Sequence, residues 1–214
     1  MSTGASAGFV HVPPASERKP VNYLAHAALA QPDPHSLLGN LSGDLVKGPL
    51  QRHALHPLVA AGVRRHRRVD VLTDSHSEHL SLRSRFPDGS RRYAGIVLDV
   101  LFDYFLSTDW DSFHATDRDE FIDGVYAMLI SRAELLPEPM ARIAPRWVEA
   151  DWLRVYGSLD GVDAVLRRLA GRLSDPKALI DAWAQVRDDT EALRPGFQRI
   201  YVDVRAALDG ETSA

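Results

Sequence analysis

Two aspartates offer the first chemistry in this chain. Asp99 and Asp103 interrupt Gly95-Ile-Val-Leu-Asp-Val-Leu-Phe-Asp-Tyr-Phe-Leu106, a segment otherwise apolar nearly all the way round. A helix of that composition belongs in an interior. Residues four apart share a helical face, with Cβ atoms about 6 Å apart. A buried unpaired carboxylate costs several kcal/mol or takes up a proton, and two side by side also repel. The spacing therefore asks for a cation between them, and a metal ion and an arginine both meet that need.

A second polar stripe lies upstream. Val59, Val63, His66, Asp70 and Asp74 recur at helical spacing and fall within an arc of about 80° at ~100° per residue. The stripe starts apolar, as a core face should, and then becomes an imidazole and two carboxylates flanked by Arg64, Arg65, Arg67 and Arg68. Taken alone it reads first as a solvated face of ion pairs, with a metal or phosphate site as the sharper alternative. Asn22-Tyr-Leu-Ala-His26 places His26 among small and apolar residues, where a hydrogen-bonded core histidine is the plain reading. Gly39-Asn-Leu-Ser-Gly-Asp44 places Asp44 at a helix C-terminus, which the helix dipole disfavours for an acid. Gly39 and Gly43 weaken that helix but admit close approach of another helix or a ligand.

Pooled, His26, Asp44, His66, Asp70, Asp74, Asp99 and Asp103 form a nitrogen and oxygen set without sulfur. It suits Mn, Mg or Fe better than a structural zinc. Sites of this kind activate water and polarise phosphoryl oxygens, and the guanidinium fork matches phosphate. Phosphoester hydrolysis is the natural reaction class. His66, Asp70, Asp99 and Asp103 are the first expected ligands, with His26 and Asp44 completing or flanking the site. Arg67 or Arg68 would neutralise charge on the phosphoryl oxygens, and Asp74 would orient water or a ligand histidine.

The elements that position these residues read as helices throughout. Asn22 can cap a helix to about Gln31, before Pro32 and Pro34. Ser36 can cap a second, ended by Gly48 and Pro49, and a third spans about Pro57 to Ser75. A shorter one reaches about Arg85, and Ser90 caps the helix of Asp99 and Asp103. Further helical patterns cover roughly 117–136, 139–156, 160–173 and 177–208. The expected fold is all-α: a single compact helical bundle over 21–214, preceded by a disordered extension over 1–20 that is rich in Ser, Gly, Ala and Pro.

The 214 residues are 45% hydrophobic, enough for a sizeable core. The net charge of −4 does not point to nucleic acid. With no cysteine there are no disulfides or thiolate sites, which fits a cytoplasmic protein. No apolar run reaches the ~18 residues of a membrane span. Trp110, Trp147, Trp152 and Trp183 read as core anchors. His35, His76, His79 and His114 read as solvated, and His53 and His56 as part of a surface connection.

In order and spacing, Asn22-Tyr-Leu-Ala-His26, Gly39-Asn-Leu-Ser-Gly-Asp44, Gly62-Val-Arg-Arg-His-Arg-Arg-Val-Asp70 with Thr73-Asp74, and Leu98-Asp-Val-Leu-Phe-Asp-Tyr-Phe-Leu106 resemble the acyl carrier protein phosphodiesterases. The resemblance runs from Val21 to about Ala207. It implies an all-helical fold distantly related to HD-type metal phosphohydrolases. It also implies removal of 4′-phosphopantetheine from the serine of holo-acyl carrier protein, a carrier of fatty acid biosynthesis, with a divalent cation, Mn²⁺ before Mg²⁺ or Fe²⁺. Asp44 matches the aspartate of the family's Gly-Asn-x-x-x-Asp motif, which is linked to catalysis. Two departures stand out. The chain has no adjacent His-Asp dipeptide, and Tyr104 occupies the place where the family often has histidine, so it is left out of the ligand set.

Charge distribution fits an acidic partner. From Lys47 to Arg92 there are ten basic and four acidic side chains, a local charge of +6. Lys47, Arg64, Arg65, Arg83, Arg85, Arg91 and Arg92 are the expected contacts to the carrier protein. Two other functions fit the same residues: an HD-like phosphohydrolase of a nucleotide or other small phosphoester, and a non-catalytic helical module that binds an acidic protein.

Overall fold

The computed structural model describes residues 22–212, so the expected extension over 1–20 lies outside the described residues. Among them are eleven α-helices and no strand: α1 (Tyr23–Ala28), α2 (Pro34–Ser42), α3 (Pro57–Ser75), α4 (Ser77–Ser84), α5 (Arg91–Thr108), α6 (Trp110–Phe113), α7 (Arg118–Ser131), α8 (Glu138–Glu149), α9 (Leu159–Ala170), α10 (Pro176–Arg187) and α11 (Arg194–Thr212). The all-α expectation matches this architecture. No helix among the described residues is long and apolar enough to cross a membrane.

α5 is the central element. It contacts α1, α4, α9, α10 and α11, and its apolar residues Val97, Leu98, Leu101, Phe105 and Leu106 are fully buried. Phe102 and Phe105 pack on Phe197 of α11 with ring centroids 5.5 and 5.7 Å apart. All four tryptophans are buried, and Trp183 donates its indole N–H to Asp163 at 3.0 Å.

Several boundaries differ from the expectation for local reasons. α1 stops at Ala28, and the Asn22 side chain makes no cap bond. α2 starts earlier, at Pro34, because Asp33 accepts from Ser36 N–H at 2.9 Å and takes over the cap. The pattern over 177–208 divides: α10 ends at Arg187, a 3₁₀ turn covers Thr190–Leu193, and Pro195 stands in the first turn of α11. The short α6, which puts Trp110 in the core, carries too little periodicity to be seen in sequence.

α2 and α3 cross at backbone contact. A Cβ on Gly39 would lie 2.2 Å from the Val59 carbonyl oxygen and 2.6 Å from the Gly62 Cα. A Cβ on Gly62 would lie 2.5 Å from the Ser36 carbonyl oxygen. The sequence left open whether Gly39 and Gly43 admit a helix or a ligand, and for Gly39 the answer is a helix. The buried residues of α3 are Val59, Gly62, Val63, His66, Val69 and Thr73.

Asp103 has a different job from the one its spacing suggested. Its side chain is fully buried, and its two oxygens accept from Leu24 N–H and Ala25 N–H, each at 2.9 Å. It therefore caps α1 from α5. Burial pushes the Asp103 carboxyl up to about 8, against the two backbone bonds that pull it down.

Two stability experiments follow. Gly39→Ala should lower the urea-derived unfolding free energy by about 3 kcal/mol through overpacking. Gly95→Ala, on α5 with nothing within 4 Å of the added methyl, should raise it by roughly 0.5–1 kcal/mol. Equal effects would contradict the crossing. For Asp103, the folded chain keeps a proton between pH 3.8 and about 8 that the unfolded chain releases. The unfolded state then binds fewer protons, so this component of stability falls as pH rises through that window. Asp103→Asn should lack that component, and parallel pH profiles for the two proteins would refute it.

Candidate metal and phosphoester site

Two helices and one turn converge on a compact polar cluster. His26 comes from α1, His66 and Asp70 from successive turns of α3, and Asp44 from the 3₁₀ turn Gly43–Leu45 that follows α2. His26 Nε2 lies 3.3 Å from Asp70 Oδ1. His66 Nε2 lies 3.4 Å from Asp70 Oδ2 and 3.7 Å from Asp44 Oδ1. Ligand atoms of His26, His66 and Asp70 all fall within 4.8 Å of one another. The two imidazoles stack, with centroids 3.9 Å apart. Both are 1% exposed, whereas the Asp70 side chain is 41% exposed, so the cluster opens to solvent at Asp70.

The fold fixes the orientation of His66. Its Nδ1 lies 2.8 Å from the Asn40 carbonyl oxygen, which can only accept, so Nδ1 carries the hydrogen and Nε2 faces the carboxylates. Gly43 makes room for the ring: a Cβ there would sit 2.1 Å from His66 Cγ. Burial, and then His66 beside it, holds the His26 imidazole below its ordinary pKa against the opposing pull of Asp70. Against their own burial, Asp44 is held below the usual carboxylate range chiefly by His66, and Asp70 chiefly by His26. The cluster therefore presents imidazole nitrogen and ionised carboxylate to one point.

These residues fit a divalent cation. Donors about 2.1 Å from one ion stand roughly 3.0 Å apart at octahedral angles and 3.4 Å at tetrahedral ones. The observed 3.3, 3.4 and 3.7 Å separations are close to that range and long for direct hydrogen bonds. The oxygen and nitrogen set suits Mn, Mg or Fe.

The other expected site residues lie elsewhere. Asp103 is occupied with α1. The group of close ligand atoms is His26, His66 and Asp70; Asp44 borders it through His66 Nε2 at 3.7 Å, whereas Asp99, which is partly exposed, and Asp103 are not in it. Helical spacing gave both a shared face but not what that face meets. The Asp74 side chain is 69% exposed and lies 3.9 Å from His79 Nδ1, one turn beyond the cluster. Arg67 donates from Nη2 to the Val46 and Gly48 carbonyls, each at 2.8 Å. It thus holds the loop that follows Asp44, in which Gly48 is left-handed at φ 76°. Arg68 forms a fork with Glu211 of α11 at 2.6 and 2.8 Å. Neither guanidinium is unengaged, as the expected role at phosphate would require.

The expected partner contacts divide in the same way. Arg65 donates to the Leu29 carbonyl, Arg85 to the Ala192 carbonyl, Arg91 pairs with Asp88 and Arg92 with Asp175. Lys47 stands 3.7 Å from Asp44 at the cluster. The side chains of Arg64 and Arg83, with Arg52, have no ion pair or hydrogen bond among the described residues. The count of +6 over 47–92 missed the acids that α10 and α11 supply.

Sequence reasoning missed the Asn40 carbonyl and Gly62. The signal for Gly62 was present, since it lies one turn before His66 on the same stripe. His79, expected in solvent, is 1% exposed against Phe102. His114 pairs with the Tyr201 hydroxyl at 2.8 Å.

Residues 21–204 match the family model described as acyl carrier protein phosphodiesterase. The acyl carrier protein phosphodiesterase of Serratia proteamaculans is 33% identical over 183 residues, spanning 85% of this chain and 94% of that protein. The proteins of that name from Salmonella paratyphi A and Escherichia coli are 34% and 33% identical over 189 and 182 residues, with the same coverage. No solved structure matches the chain.

Proposed function

This chain belongs to the acyl carrier protein phosphodiesterase family, and on that footing we propose that it hydrolyses holo-acyl carrier protein at the cluster of His26, Asp44, His66 and Asp70. Water attacks the phosphorus, the bond to the serine oxygen breaks, and the products are 4′-phosphopantetheine and the apo carrier with its serine hydroxyl restored. The observation that carries the siting is the convergence of two buried imidazoles and two ionised carboxylates at 3.3–3.7 Å beside an opening to solvent.

His26, His66 and Asp70 would hold a divalent cation, Mn²⁺ by our reading, which would supply Lewis acidity toward a phosphoryl oxygen and ease deprotonation of water. The protein supplies the rest. The Asn40 carbonyl fixes the His66 tautomer, and Gly43 leaves the ring its place. Asp44, ionised and 16% exposed, is placed to take a proton from the attacking water. Lys47 brings positive charge to the mouth of the site, where the phosphodiester arrives. Arg67 contributes by holding the loop that carries Lys47, not by touching phosphate.

Mass measurement of holo-acyl carrier protein incubated with the enzyme and Mn²⁺ should show loss of the phosphopantetheine group. His66→Ala and Asp70→Ala should each lower kcat by at least about 100-fold and reduce bound metal. Asp99→Ala should keep its metal. An unchanged carrier mass overturns the activity, and metal loss confined to Asp99→Ala moves the site to α5.

The carrier, as an acidic helical protein, would dock over Arg52 and Arg64, which have no ion pair among the described residues. Added salt should raise KM with little change in kcat. Arg52→Glu with Arg64→Glu should raise KM roughly tenfold, because unpaired cations outside the chemistry act on encounter. Arg92→Glu, whose charge Asp175 already meets, should change it less. A salt-insensitive KM contradicts this docking face.

A further inference from the structure

We propose that Asp103 is a positioning residue for His26, acting through the backbone of α1 and without touching the cation. The inference rests on the reading of the His26, Asp44, His66 and Asp70 cluster as a cation site. α1 has six residues, too few to persist as a helix by itself. The side chain of its own N-cap residue, Asn22, bonds nothing there. Asp103 takes its place by accepting from Leu24 N–H and Ala25 N–H at 2.9 Å each. At the other end, Arg65 of α3 donates from Nε to the Leu29 carbonyl at 2.6 Å. His26 lies between these two tethers.

The His26 ring has little hold of its own. Its Nδ1 is buried with no hydrogen-bond partner among the described residues, and its Nε2 is 3.3 Å from Asp70, long for a hydrogen bond. Stacking on His66 sets the plane of the ring. Its distance from the other ligands follows the backbone, and hence Asp103. Aspartate suits the task because each of its oxygens can accept from an amide in either charge state. Asparagine offers one acceptor and turns an N–H₂ toward the second amide.

The test uses the full chain stripped of metal and titrated with Mn²⁺ alone, with amide hydrogen exchange read at Leu24 and Ala25. Asp103→Asn should weaken Mn²⁺ affinity by about 10–100-fold and speed exchange at those two amides. Ala25→Pro serves if Asp103→Asn does not fold. It removes one of the two donors while leaving Asp103 in place, and proline is tolerated in a first helical turn. It should weaken affinity in the same direction. Unchanged Mn²⁺ affinity in either folded variant overturns the proposal. So does complete loss of binding in Asp103→Asn with both amides still protected, because Asp103 would then be a ligand. His66→Ala separates the two claims: if that variant binds Mn²⁺ like wild type, the cluster reading itself fails.

Discussion

The close crossing of α2 and α3 is the constraint on which the site depends. Gly39 and Gly62 let the two backbones touch. At that separation the last turn of α2 reaches the middle of α3. The Asn40 carbonyl, which also accepts the Gly43 N–H at the end of the helix, then meets His66 Nδ1 at 2.8 Å. The next residues of the chain, Gly43 and Asp44, fall beside the same ring. A larger residue at 39, 43 or 62 would separate the helices or displace the imidazole. The glycines that weaken α2 as a helix are therefore what assemble the cluster.

This geometry also accounts for Asp44. A carboxylate at a helix C-terminus faces the negative end of the dipole, and Asp70 adds a second negative charge within reach of His66. Lys47 gives partial relief at 3.7 Å, but its side chain is 70% exposed. Burial holds the His26 ring toward its neutral form, so it does not supply a full positive charge. Two carboxylates, a dipole end and a neutral imidazole all favour a cation at one point. That convergence supports the cation reading more strongly than any one separation does.

Much of this was legible in the residues. The α3 stripe put His66 and Asp70 on one face that continues the core positions Val59 and Val63, because a long helix with a clean period fixes azimuth. The same reasoning gave α3 its bounds and identified Asp44 as a carboxylate in need of an explanation. It failed wherever the partner comes from far along the chain. The arginines of α3 and α5 looked like a patch because Asp175, Asp209 and Glu211 are distant in sequence and adjacent in space. Helical period continued through 188–193, where a 3₁₀ turn breaks it with little change in composition.

Asp103 shows the limit most clearly. A buried carboxylate needs positive charge or hydrogen-bond donors, and the sequence argument considered only side chains and metals as sources. Backbone amides at a helix start are a third source, since the first N–H groups have no partner within the helix and carry the positive end of its dipole. Asn22 appeared to satisfy α1, so no acceptor was sought for it. Once the Asn22 side chain is seen to make no cap bond, the need of α1 for an acceptor and the need of Asp103 for donors become the same fact. The two aspartates of α5 therefore need not share a cation: proximity on a helix face says that they must be answered, and the packing of neighbouring elements decides how each one is.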